Sequence, residues 1–177
     1  MQIDFSKNHF ELFQLPVAFE LDPRALEGAY RELQREVHPD RYVSASPAEQ
    51  RLAAQWATQV NEAYRTLKTP LNRGRYILKI HGIDTEEESN TAMPLAFLMQ
   101  QMEWREAVVE AKARKDEPAL ELLSRQKRDA ETALISLLGT QLADVAQRAD
   151  ARETVRKLRF LEKLGEEIDI ASESIDS

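Results

Sequence analysis

The chain has 177 residues, of which 42% are hydrophobic, enough to bury a core in one domain or in two small ones. It contains no Cys, which excludes a disulfide framework, a thiolate metal site and a thiol nucleophile. The net charge of −7 is uneven: residues 1–81 hold 11 Lys/Arg and 10 Asp/Glu (+1), residues 82–177 hold 13 and 21 (−8), and no strongly basic face points to nucleic acid.

Only 5 Gly and 7 Pro are present, and Val/Ile/Tyr-rich alternating runs are missing, so an all-α fold is expected. Met1–Phe5 lacks the charged-then-apolar pattern of a signal peptide. No apolar run approaches the length that spans a bilayer. A soluble cytoplasmic protein with no membrane partner is the expectation.

A short helix is expected near residues 8–15. The next starts at Pro23, capped by Asp22, and runs to residue 37. Ser46-Pro47-Ala48-Glu49 is a capping box that opens a helix over 47–67. Thr69-Pro70 opens another over 70–81. In each case a side-chain oxygen takes up orphan amides, and Pro lacks the amide that would be orphaned. Leu26, Tyr30, Leu33 and Val37 form one apolar stripe; Leu52, Trp56, Val60, Ala63 and Leu67 form another. The two helices therefore suit an antiparallel pair, with a loop over 38–46 that begins at His38.

Gly82 ends the fourth helix. Residues 82–93, with Glu86-Glu87-Glu88, read as an acidic linker and a solvated connection. Helices follow near 94–113, 116–143 and 146–167, then a polar tail. Leu123, Ala130, Leu134 and Leu137 keep helical period, as do Val155, Leu158, Leu161 and Leu164. Three helices with short connections favour an antiparallel bundle.

On the helix 23–37, Arg24, Arg31 and Arg35 lie within about 40° of one another, opposite the apolar stripe. Arg41 extends this strip past the His38-Pro39-Asp40 turn. Spacing alone leaves two readings: a solvated charged face flanked by Glu27, Glu32 and Glu36, or a docking surface for an acidic partner. Pro39 restricts itself and His38, so His38 and Asp40 are held in a defined geometry. No His pair at metal-ligand spacing, no nucleophile elbow and no phosphate loop accompany them. No catalytic residue, metal site or cofactor is expected, and the protein is read as a non-enzyme.

Tyr30-Arg31-Glu32-Leu33, His38-Pro39-Asp40-Arg41-Tyr42 and Asn61-Glu62-Ala63-Tyr64, in that order, resemble a J domain over roughly residues 8–81. The resemblance implies that His38, Pro39 and Asp40 stimulate ATP hydrolysis by a DnaK-type chaperone. Arg24, Arg31, Arg35 and Arg41 would be docking charges.

The helix from Pro94 has two apolar sides. Leu95, Leu98, Met99, Met102 and Val109 cluster on one; Phe97, Trp104, Val108 and Ala111 cluster opposite. A bundle needs only one of them, so the other is either an exposed contact patch or buried against the first domain; Glu103 and Glu106 lie beside the Leu98/Met99/Met102 side. Phe97-Leu98-Met99-Gln100-Gln101-Met102-Glu103, Val155-Arg156-Lys157-Leu158-Arg159-Phe160-Leu161 and the opening Asn8-His9-Phe10-Glu11-Leu12-Phe13 with Leu15-Pro16 are similar to the HscB family. HscB proteins are J-type co-chaperones of bacterial iron–sulfur cluster assembly. The resemblance then spans nearly the whole chain.

It implies an HscA-like DnaK-type chaperone ATPase and an IscU-like iron–sulfur scaffold as partners. It also assigns scaffold binding to Leu98, Met99, Met102, Glu103, Glu106 and Phe160, the last expected to be partly exposed at the edge of its stripe. Met102 stands where Leu is common in the family, a volume-conserving change. No Gly/Phe-rich segment and no Cys-x-x-Cys module accompany the J domain, unlike general client-holding J proteins. The implied organisation is a J domain over 1–81, a linker over 82–93 and a three-helix scaffold-binding domain over 94–177. Alternatives are a J-domain adaptor for another client, or a helical adaptor with no chaperone role.

Overall fold

The computed structural model describes residues 6–85 and 93–175. Met1–Phe5 and the acidic run Glu86-Glu87-Glu88 lie outside the described residues. The fold is all-α: α1 (His9–Leu12), α2 (Pro23–Val37), α3 (Pro47–Lys68), α4 (Pro70–Ile80), α5 (Leu95–Arg114), α6 (Glu117–Ala143) and α7 (Arg148–Ile175). Two 3-10 turns, Pro39–Tyr42 and Val145–Gln147, lie between α2 and α3 and between α6 and α7. The chain divides into two compact units, Met1–Ile80 and His81–Ser177.

In the first unit, helix starts fall where the cap-then-Pro signals put them. Asp22 accepts from the amide of Arg24, and Ser46 and Glu49 close a reciprocal capping box. Two hydrogen bonds from Ser46 hold the Glu49 carboxyl below its ordinary range.

α1 is shorter than the expected 8–15. Leu15 N–H donates to the carbonyl of Phe10 (2.9 Å) and Gln14 N–H to that of Glu11 (3.1 Å), with Gln14 left-handed at φ 56°. This is a Schellman ending, made by a glutamine rather than a glycine. Pro16 reinforces it, because it disfavours helical geometry at Leu15.

α2 and α3 pack as a hairpin over Leu26, Val37, Ala53, Trp56, Val60, Ala63 and Leu67. The stripe of α3 uses Ala53, 1% exposed, where Leu52 was expected; Leu52 is 38% exposed. Residues of the Tyr30–Leu33 and Asn61–Tyr64 segments meet across this hairpin. Tyr30 stacks on Tyr64 with centroids 4.0 Å apart, and its hydroxyl donates to Asn61 Oδ1 at 2.9 Å. Gln34 donates to the same hydroxyl at 3.0 Å. These contacts clasp the hairpin mid-length and fix one helix against the other.

α1 docks through His9, whose ring stacks on Tyr76 (4.1 Å) and whose amide donates to the Tyr76 hydroxyl (2.9 Å). Its Nδ1 is buried with no hydrogen-bond partner. Burial pushes the His9 pKa down from 6.5; nearby Glu62 opposes this and Lys79 adds to it. The unfolded chain therefore takes up a proton near pH 6.5 that the fold resists. Stability should be full above that pH and fall as pH drops through it, levelling off below the lowered folded value. In His9→Phe, which keeps the stack, chemical denaturation between pH 7 and about pH 5 should lose this part of the slope.

The second unit is a three-helix bundle. α7 packs against both α5 and α6 around Val108, Ala111, Leu120, Leu123, Phe160, Leu161, Leu164, Ile168 and Ala171. The buried position on α6 is Leu138, 0% exposed, rather than Leu137, which is 44% exposed. The one buried polar pair among the described residues is satisfied internally: Thr154 Oγ1 donates to Gln141 Oε1 at 2.8 Å. The expected polar tail after 167 is instead helix to Ile175, because Leu164, Ile168, Ala171 and Ile175 continue the apolar spacing into the core.

Candidate functional site

His38 is both the C-cap of α2 and the N-cap of the Pro39–Tyr42 turn. Its backbone is extended (φ −60°, ψ 129°), as a residue before Pro should be. Its Nδ1 accepts from the Asp40 amide at 3.3 Å. That bond needs a lone pair on Nδ1, so it belongs to the neutral ring with its proton on Nε2. Asp40 Oδ2 lies 3.5 Å from the same nitrogen and can accept from it only when Nδ1 itself carries a proton.

The loop around them is pinned at both ends. The Arg41 guanidinium donates to the Arg35 carbonyl (3.4 Å) and the Tyr42 hydroxyl to the Glu36 carbonyl (3.3 Å). These take up orphan carbonyls in the last turn of α2, where a cation also suits the helix dipole. On the far side Gln50 Nε2 donates to the carbonyls of Val43 (3.2 Å) and Ala45 (3.1 Å). His38, Pro39 and Asp40 are nonetheless exposed, so a fixed loop presents all three at the surface, with the polar contacts of His38 and Asp40 confined to the turn itself among the described residues.

Arg24, Arg31 and Arg35 are all exposed on α2. Arg31 pairs with Glu27 one turn back, and Arg35 Nε donates to the Arg31 carbonyl at 3.4 Å. The stripe is thus partly neutralised at Arg31. The capping contributions of Arg41 and Tyr42 were missed from sequence, because a nonlocal cap leaves no spacing signature.

On α5, Leu98 (37%), Met99 (55%) and Met102 (63%) are exposed, and so are Leu95 and Val109 on the same side. Glu106 projects from the middle of this face and Glu103 from its edge, about 60° apart at helical pitch. Neither has an ion-pair partner among the described residues. The open question of whether this side is covered resolves to exposed. Phe97, Trp104, Val108 and Ala111 face the bundle core.

Phe160 corrects an expectation. It is 6% exposed, not at an accessible edge. Phe97 meets it edge-on (5.6 Å), Trp104 stacks on it (6.2 Å), and the Arg105 guanidinium lies 5.3 Å over its ring. Arg105 is held in turn by Glu167 at 3.4 Å. Phe160 therefore backs α5 from inside, and the outer face comprises Leu98, Met99, Met102, Glu103 and Glu106 without it.

The co-chaperone protein HscB homolog of Burkholderia multivorans is 46% identical over 175 residues, spanning 99% of each chain. The chain belongs to the HscB family. The family profile described as HSCB C-terminal oligomerisation domain matches residues 93–169, most of the HscB bundle. Chaperone HscB from Vibrio cholerae superposes with a TM-score of 0.85 at 36% identity, covering 96% of this chain and 99% of that one. Human co-chaperone protein HscB superposes with a TM-score of 0.89 at 30% identity, covering 95% and 83%. The first unit is accordingly the J domain of an HscB-type co-chaperone and the second its C-terminal helical domain.

Proposed function

We propose that this protein is a co-chaperone of iron–sulfur cluster assembly that acts on an HscA-like DnaK-type ATPase and brings it an IscU-like scaffold. In this reading His38, Pro39 and Asp40 stimulate hydrolysis, and the exposed face of α5 holds the scaffold. The observation that carries it is the pairing of a pinned, outward-facing His-Pro-Asp turn with an exposed apolar face on a separate unit of an HscB-family chain.

The turn performs no acid–base chemistry of its own. It would bind preferentially the chaperone arrangement poised for hydrolysis and so raise that state's population. The bond-breaking groups belong to the chaperone. The arginines of α2 would orient the encounter with an acidic surface. Arg31→Ala with Arg35→Ala should raise the half-saturating concentration for ATPase stimulation by roughly fivefold at low salt. Because the Debye length is only about 4 Å at 0.5 M salt, the difference from wild type should largely vanish there. A loss that persists at high salt would assign these residues to something other than charge steering.

Met99 and Met102 supply adaptable apolar contact, and Glu103 and Glu106 charges that select a basic rim on the partner. Titration of an IscU-like scaffold, followed by calorimetry, tests the client. Saturable binding that is weakened by Leu98→Ala supports the reading. A protein that stimulates the chaperone but binds no scaffold would instead be an adaptor for another client.

A further inference from the structure

We infer that the outer face of α5 is a modification site: Met99 and Met102 are thioethers that peroxide converts to sulfoxides, reversibly weakening the docking of the scaffold. The inference rests on the reading of this face as the scaffold's seat and adds a regulation to it.

Three observations carry it. Met99 and Met102 are 55% and 63% exposed, one helical turn apart on the same face, so an oxidant reaches both sulfurs without opening the fold. The chain has four methionines and no Cys, so no thiolate within it competes for peroxide. Of the others, Met93 is half-buried and Met1 lies outside the described residues. Finally, both side chains point away from the core of Val108, Ala111, Phe160 and Leu164. Oxidation would therefore change what the face offers a partner and leave packing alone.

The chemistry balances with peroxide as oxidant. A sulfur lone pair attacks one peroxide oxygen, the O–O bond breaks, and the thioether becomes a sulfoxide while peroxide is reduced to water. Sulfur loses two electrons and peroxide gains them. A sulfoxide reductase reverses the step, with two thiols becoming a disulfide and the oxygen leaving as water. The sulfoxide oxygen is a strong hydrogen-bond acceptor, and burying it without a donor in an apolar contact opposes binding. Two such groups at the centre of the face should raise the scaffold Kd roughly tenfold or more.

The test uses the full chain, oxidised by dilute hydrogen peroxide, with the peroxide removed by catalase before the scaffold is added. Peptide mass should place one added oxygen on Met99 and on Met102 ahead of Met93. The scaffold Kd should rise, the melting temperature and the stimulation of basal ATP hydrolysis should hold, and a sulfoxide reductase with thiol should restore binding. A Met99→Leu/Met102→Leu variant, whatever its starting Kd, should keep that value through the same treatment. Full oxidation of both residues with unchanged Kd would overturn the inference while leaving the scaffold reading intact. So would loss of affinity by the Leu pair. Untreated protein that binds no scaffold would overturn both, and is told apart by its first titration.

Discussion

His38→Gln is expected to return the partner chaperone's ATPase to its unstimulated rate while the J domain stays folded. The His38 side chain is 52% exposed, and among the described residues it meets only its own turn: the Asp40 amide at 3.3 Å and Asp40 Oδ2 at 3.5 Å from Nδ1. A bond that long at a solvated site contributes little, and surface changes of this kind usually fall within about 0.5 kcal/mol. Pro39 still fixes the backbone, and Arg41, Tyr42 and Gln50 still pin the loop. Steady-state hydrolysis and thermal melting, measured on the same preparation, separate the two effects. A variant that stimulates as well as wild type would remove the turn from the mechanism. One that stimulates poorly and melts many degrees lower would place His38 among the structural residues.

Phe160→Ala should have the largest effect on stability, about 3–5 kcal/mol, as for other buried Phe truncations. The ring fills the space between Phe97, Trp104 and Arg105, so its loss opens a void directly behind α5. Domains are stable by only about 5–15 kcal/mol, so the second unit would be left marginal. Scaffold binding should then fall because α5 is no longer held, not because a contact is gone. Leu98→Ala should do the opposite: stability within about 0.5 kcal/mol of wild type, and scaffold affinity reduced roughly tenfold. Trp104 lies against Phe160, so its fluorescence in a Trp56→Phe background follows the bundle alone. Denaturant-unfolding curves that overlay for wild type and Phe160→Ala would contradict the packing role.

The same residue shows where sequence reading ran out. Val155, Leu158, Leu161 and Leu164 mark one stripe on α7, and all are buried. A single stripe assumes a single neighbour. In the first half of α7, Ala151, Thr154, Val155 and Leu158 share one arc; from Phe160 onward the buried arc swings by roughly 100°, because α5 joins α6 against the helix. Phe160 lies outside the first arc and inside the second. Helix starts were legible because Pro23 and Pro47 follow the capping side chains of Asp22 and Ser46, and Pro70 itself opens α4, a local chemistry in each case. Ends were less so, since Gln14 and Lys115 take left-handed conformations without glycine to announce them. The two faces of α5 were legible as a pattern, but only packing decides which one is covered.

The division of the chain at Ile80/His81 into two compact units has a stoichiometric consequence. If the turn on one unit engages the chaperone and the α5 face on the other holds the scaffold, as proposed, a single molecule would bridge the two, and capture of one would raise the local concentration of the other. A bridge also saturates itself. In reactions with fixed chaperone and scaffold, joint complex formation should rise with added protein, peak, and then decline as separate copies occupy each partner.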